Sequence, residues 1–219
     1  MSMSKMSKTT VAIGFLCLAM TACGTTKPMS NLGVKQFYAQ SDEKRPVWID
    51  HEKKWAKEHP KNMYFVGVSS NNANYEIGRI DAKMQAFGSI ATRIKSTVHA
   101  LYVGAITTDS ADRKGTDVAL EQSIERGLTA VAYGVITGAK VDDYFWKKYQ
   151  VQTEPGGPVY SGRDVYAIVE MSPADYKRTV FETLSKTKEK VKDPRAKALV
   201  QKMEKKWTGL STSAVSTVK

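Results

Sequence analysis

The sequence predicts an α+β fold: a small mixed β-sheet with two helices packed on one face and a C-terminal helical extension. Three observations lead there. The apolar period along the chain switches repeatedly between two and about 3.6 residues, giving the order β-α-β-α-β-β-α-α. Two consecutive strand-like runs, 136–151 and 163–171, flank the turn-rich stretch Glu154-Pro155-Gly156-Gly157-Pro158 and read as a long-looped hairpin. Beyond them Ser172-Pro173, with serine as cap and proline at the first helical position, and Asp193-Pro194 are two helix starts.

The elements follow in order. Pro46-Val47-Trp48-Ile49 opens a short segment whose helix, over 50–58, ends at His59-Pro60. Trp48 and Trp55 lie two helical turns apart, on one face that packs on the domain or, alternatively, forms an exposed aromatic stripe. Met63-Tyr64-Phe65-Val66-Gly67-Val68 is apolar on both alternations and reads as a buried strand. From Ile77 the period is helical, with Ile80, Met84, Phe87, Ala91 and Ile94 as the stripe expected to face the core. Residues 97–108 alternate Val98, Ala100, Tyr102 and Ile106, which predicts a second strand. Thr116 or Asp117 would cap a helix with the stripe Leu120, Ile124, Leu128, Val131 and Val135. The first C-terminal helix carries Tyr176, Val180, Phe181 and Leu184, and the second Ala196, Leu199, Val200, Met203 and Trp207.

The N-terminus carries its own signal. Lys5 and Lys8 precede an apolar run of about ten residues ending at Met20, the length of a signal-peptide core and too short to span a bilayer. Small residues Thr21 and Ala22 then lead into Cys23. A thiol alkylated at the membrane surface, followed by a peptidase that must fit small side chains, needs that arrangement. The pattern resembles the bacterial lipoprotein class, with Met20 where leucine is usual, and the resemblance implies lipidation of Cys23, including palmitoylation. An ordinary secretory signal with an incidental cysteine, or an uncleaved anchor, is the alternative. Cys17 sits inside the apolar run behind Leu16 and fails the same test. The expected organisation is a signal peptide over 1–22 and a lipid-anchored flexible tether over 23–45. An α+β domain over 46–172, a helical hairpin or extension over 173–209 and a disordered tail over 210–219 complete it.

The 219-residue chain is formally +11. Lysine and arginine on phosphate dominate nucleic-acid binding, but an exported chain does not meet nucleic acid, so that partner is not expected. Acidic headgroups, acidic glycans or an acidic protein are the partners this charge suits, and solubility alone is the bland alternative. With Cys23 consumed by lipid, the mature chain has no cysteine left for a disulfide.

Catalytic patterns are incomplete. His51-Glu52-Lys53-Lys54-Trp55 begins like a zincin motif but has Trp55 in place of the second histidine, and pairing His51 with His59 is a weak substitute. Gly67-Val68-Ser69-Ser70-Asn71 follows a strand as a nucleophile elbow would, yet Asn71 replaces the last glycine. Asp142 and Asp143 are adjacent strand residues and point to opposite faces. His99, opposite Tyr102 on the predicted strand, reads as packed or solvated. No phosphate-binding or dinucleotide fingerprint follows any strand. The expectation is no enzyme, no cofactor and no metal.

The run Tyr144-Phe145-Trp146-Lys147-Lys148-Tyr149 is the candidate contact surface, with Tyr144, Trp146, Lys147 and Lys148 as its binding residues. Alternation sets Tyr144, Trp146 and Lys148 on one face and Phe145, Lys147 and Tyr149 on the other. Aromatic residues beside cations suit glycan, headgroup and protein interfaces, while an edge strand guarded by lysines is an equally economical reading.

The lipobox, Pro46-Val47-Trp48, Tyr64-Phe65-Val66-Gly67-Val68, Asp81-Ala82 and Val165-Tyr166-Ala167-Ile168-Val169 together resemble the Lpp-twenty-type bacterial lipoprotein family, which includes FlgP-like flagellar outer-membrane lipoproteins. The likeness covers roughly 46–171. It implies a non-catalytic envelope protein, in the FlgP-like case a subunit of a ring or disk around the flagellar motor on which motility depends. Gly24, not aspartate, after the modified cysteine implies sorting to the outer membrane, facing the periplasm or the surface. The expected partners are the membrane, through the lipid, and copies of itself or another envelope assembly. A tethered binding module for acidic glycan, peptidoglycan or a partner protein is the alternative.

Overall fold

The computed structural model describes residues 32–106, 118–131 and 134–213. Cys23 with the rest of the lipobox, the expected caps Thr116 and Asp117, and the tail after Ser213 lie outside them. At the centre is a long hairpin of β3 (Lys140–Gln152) and β4 (Val159–Met171), with β1 (Gln36–Gln40) on the outer side of β3 and β2 (Met63–Ser69) on the outer side of β4. The order is β1-β3-β4-β2, and all three pairings are antiparallel. The fold is α+β, but the sheet is antiparallel throughout and not mixed. The expected strand over 97–108 is absent as far as residue 106, because these residues continue α3 (Tyr75–Ile106). Val98, Leu101, Tyr102 and Ala105 are buried at spacings of three and four, so the apparent alternation is one side of a helix.

Helix α3 covers one sheet face at very close range. A Cβ on Gly67 would fall inside contact distance of the Ala82 carbonyl oxygen and the Ala86 amide nitrogen, so the strand needs glycine and the helix needs alanines there. Gly78, Ala82, Ala86 and Ile90 are therefore the buried residues of the first half of α3. The expected stripe is displaced: Ile80 and Met84 face solvent, and Phe87 is half-buried. The opposite sheet face is covered by α1 (Val47–Asp50) and α2 (Glu52–Glu58); α2 is the helix expected over 50–58, and α1, which precedes it across a break at His51, was not expected. Trp48 packs there on Phe145 and Ile168, with Trp55, Tyr64 and Tyr166 around them.

At about 1.5 Å per residue α3 is roughly 48 Å long, and its second half runs into a helical cluster. There α4 (Val118–Val131) packs on α5 (Pro173–Lys190) and α6 (Pro194–Ser213), so among the described helices it is α3, not a pair of helices, that makes the main contacts with that sheet face. Ile94, Val98, Ile124, Leu128, Val180, Leu184, Val200 and Met203 share this core. Ser172 caps α5 as expected, its hydroxyl accepting from the Asp175 amide at 3.0 Å. Thr179, Thr183 and Thr187 are fully buried on α5, and each hydroxyl donates to the carbonyl four residues earlier, which satisfies it inside the core. Phe181 is exposed, and α6 continues past Gly209 to Ser213 rather than ending there.

The tether expected over 23–45 is shorter than that. Residues 36–40 form β1, the Gly33 amide donates to the Gln152 carbonyl, and Lys35 Nζ donates to both Asp164 carboxylate oxygens at 2.8 and 2.9 Å. The N-terminal approach to the domain is thus built into the sheet.

Candidate functional site

Strand β3 delivers the aromatic and basic run to both faces of the sheet. Tyr144, Trp146 and Lys148 lie on the α3 face, across from Ala167, Val165 and Arg163 of β4. The structure brings these three together and sets Lys147 apart on the opposite face. A bulge between Val141 and Asp143 precedes the run, and it interrupts the simple alternation of Asp142 and Asp143.

On the α3 face cations and rings alternate. The Lys148 ammonium lies 5.6 Å from the Trp146 ring centre, and the Arg163 guanidinium lies 5.2 Å from Trp146 and 5.4 Å from Tyr75. Arg79 lies 5.6 Å from Tyr75 and 4.6 Å from Tyr144, and it pairs with Glu76 at 3.2 Å. The Nε atoms of Arg79 and Arg163 are buried without a hydrogen-bond partner among the described residues. Three cations thus share a strip with one carboxylate, and such a strip can hold an anion. Because the cations already cover the rings, an arriving ligand meets charge before it meets aromatic surface. Tyr75, Arg79 and Arg163 are the members that sequence reasoning missed. Arg163 was within reach once Lys148 was set opposite it in the hairpin; Tyr75 and Arg79 arrive from α3 and depend on tertiary placement.

Lys147 faces α1. It lies 5.0 Å from the Phe37 ring and 6.0 Å from Phe145, and burial, with the positive charge of Arg45 beside it, pushes its pKa below the usual lysine value. Phe145 and Tyr149 on this face are buried. Near the hairpin loop Lys35 sits over Tyr149 at 4.2 Å, Tyr149 donates to Asn71 Oδ1 at 3.0 Å, and the Asn71 amide donates to Asp164 at 3.3 Å. Burial works against the Lys35 ammonium, but the hydrogen bond and charge of Asp164 outweigh it and raise its pKa. This network ties the N-terminal approach to the hairpin.

A second surface stands out on α3. Ile77, Ile80 and Met84 are 61%, 64% and 57% exposed, side by side on the helix face turned away from the sheet. Exposed apolar residues grouped in this way mark interaction sites more often than isolated ones do.

The remaining sequence candidates lie elsewhere in the fold. Ser69 is 2% exposed, donates to Asp81 at 2.5 Å and accepts from Asn72 at 2.7 Å, while the left-handed residue of this turn is Asn71, with φ 64°. An elbow would place the strained backbone at the nucleophile itself and expose its hydroxyl. His59 stacks on Trp55 with ring centres 3.9 Å apart, and His51 joins α1 to α2. His99 is a helical neighbour of Tyr102, stacked on it at 6.2 Å rather than opposite it. It borders a cavity of about 300 Å³ between α3 and α4, whose rim also carries Lys95, Glu121 and Glu125. Among the described residues no group of three histidine, cysteine or acidic side chains is placed to hold a metal ion. Among them, too, no helix is long and apolar enough to cross a membrane.

Compared with known proteins, the chain matches no family model, no curated protein and no solved structure.

Proposed function

We propose that this is an outer-membrane-anchored structural lipoprotein that self-associates or docks on an envelope assembly. In the reading suggested by its resemblance to FlgP-like lipoproteins, the assembly is a ring or disk at the flagellar motor. The observation that carries the proposal is the exposed apolar row Ile77, Ile80 and Met84 on a chain of net charge +11. A solubilising surface would not group its apolar side chains on one helix face. The link to the membrane is Cys23. With β1 built into the sheet, the covalent chain from residue 23 to residue 32 reaches roughly 30 Å at about 3.3 Å per residue, which holds the domain close to the bilayer. The clasp of Lys35, Asp164, Asn71 and Tyr149 sits where that chain enters the fold.

Two experiments test this. Cys23→Ser should move the protein from the membrane fraction to the soluble fraction, because no second anchor is proposed. Retention of that variant after a carbonate wash would sink the lipid anchor. Deletion of the gene should impair motility or flagellar number, and a fully motile deletion strain would remove the flagellar version.

The second reading, a tethered binding module for acidic glycan, is favoured by Arg163, held between two rings with its buried Nε unpartnered among the described residues. It expects pull-down by purified cell wall that Trp146→Ala or Arg163→Ala abolishes; capture unchanged in both would remove it.

A further inference from the structure

Helix α3 carries one uninterrupted heptad repeat: Ile77, Ile80, Met84, Phe87, Ala91, Ile94, Val98, Leu101 and Ala105 recur at alternating intervals of three and four. That spacing is what a helix needs to pair with another helix along a narrow seam. From Ala91 onward every member of the repeat is buried, and Ile94, Val98, Leu101 and Ala105 belong to the protein's own helical cluster. Before Phe87 the same repeat is open to solvent. Packing against the sheet does not require these side chains, since Gly78, Ala82 and Ala86 make that contact.

We infer that the first two heptads of α3 form a homotypic seam whose occupant is the same stretch of a second copy of this chain. This rests on the self-association reading above and assigns it a surface. Two properties point to a second copy. The charges flanking the open row, Glu76, Asp81 and Lys83, carry none of the chain's positive excess, so two copies can approach here although the whole chain is strongly positive. An acidic partner would instead be drawn to the basic strip on β3 and β4. The area also fits. About 14 residues of seam, roughly 21 Å long, bury on the order of 400 Å² per copy, about half of what a stable interface uses. Such a pair is weak when free and forms when anchoring confines the copies and raises their effective concentration. Salt strengthens it by screening the repulsion between positive chains, whereas anion capture weakens with salt.

The test is chemical crosslinking of the full lipidated protein in cells, with three variants beside the wild type. Ile80→Cys should give a dimer with a short thiol-reactive crosslinker, and Lys205→Cys, exposed on α6, should not. The double variant Ile80→Lys with Met84→Lys should lose the dimer seen in the wild type by amine-independent crosslinking. Its melting temperature should not fall, because both side chains are already exposed. A wild-type dimer that persists in the double variant overturns the seam and leaves self-association standing. Wild-type protein that gives monomers alone overturns both. A product at position 80 heavier than two copies, carrying a different protein, overturns the second copy as occupant.

Discussion

Replacing Gly67 with alanine is the sharpest test of how the helix and sheet fit together. The new methyl would overlap the backbone of Ala82 and Ala86, with the Ala82 carbonyl carbon 3.1 Å away. Backbone atoms inside a helix cannot rotate aside, so relief requires α3 to retreat by about 1 Å. A gap of 0.5–1 Å forfeits roughly a quarter to a half of each dispersion contact across it. The layer affected includes Ala82, Ala86 and Ile90 against Phe65, Val165, Ala167 and Val169. Overpacking of this kind typically costs about 1–3 kcal/mol, and the upper end applies here because both clashing groups are backbone. For a chain of this size that corresponds to a fall of roughly 6–12 °C in Tm. Thermal unfolding followed by circular dichroism reads it directly. Gly209→Ala is the matched control: a Cβ there meets nothing within 4 Å, and an exposed helical position gains about 0.5–1 kcal/mol from the change. A Gly67→Ala protein that melts within a degree of wild type would show that α3 and β2 are not in backbone contact.

Two further predictions concern the helical extension and pH. Ser172→Ala removes the hydroxyl that accepts from the Asp175 amide and donates to its carboxylate, and should cost about 1 kcal/mol by denaturant titration; no change would mean that α5 does not depend on this cap. Glu170 receives Lys140 Nζ at 2.9 Å and Asn62 Nδ2 at 2.6 Å, and the hydrogen bond from Lys140, aided by that from Asn62, holds its pKa below the ordinary 4.5 despite some burial. A depressed carboxylate stabilises the fold above its ordinary value and loses that contribution as pH falls through the folded value. Stability should therefore decline on acidification below about pH 4.5, and less steeply in Glu170→Gln; parallel curves for the two proteins would contradict the assignment.

Much of this architecture was legible in the residues, and the failures have physical causes. The hairpin and the Ser172-Pro173 start were readable because turn chemistry and capping are local. The sheet end of α3 was not, because the residues that face the sheet are the small ones. Close approach to Gly67 selects glycine and alanine, while the larger Ile77, Ile80 and Met84 point outward. A hydrophobicity pattern therefore names the wrong side as core. The second half of α3 failed differently: Thr97, Val98, Val103 and Ile106 are β-branched and Val98, Ala100, Tyr102 and Ile106 fall on one alternation, a pattern that favours a strand until tertiary contacts decide, here including Thr97 Oγ1 against the Tyr176 hydroxyl at 2.7 Å. Strand β1 is short, largely exposed and at a sheet edge, with Phe37 as its main contact on Tyr149, so it carries almost no periodic signal. Of the candidate contact surface, the division of Tyr144 to Tyr149 between two faces was legible from alternation alone. Its completion by Arg79, Tyr75 and Arg163 required the packing of α3.

The central claim, that a lipid-held domain functions by associating with its own copies, is tested most directly by crosslinking intact cells at native expression and resolving the anchored protein by mass. The account predicts homo-multimers in the membrane fraction of the wild type, and their loss when Cys23→Ser releases the domain and dilutes it. Monomers alone in the wild type, or multimers equally abundant in the released variant, would contradict it.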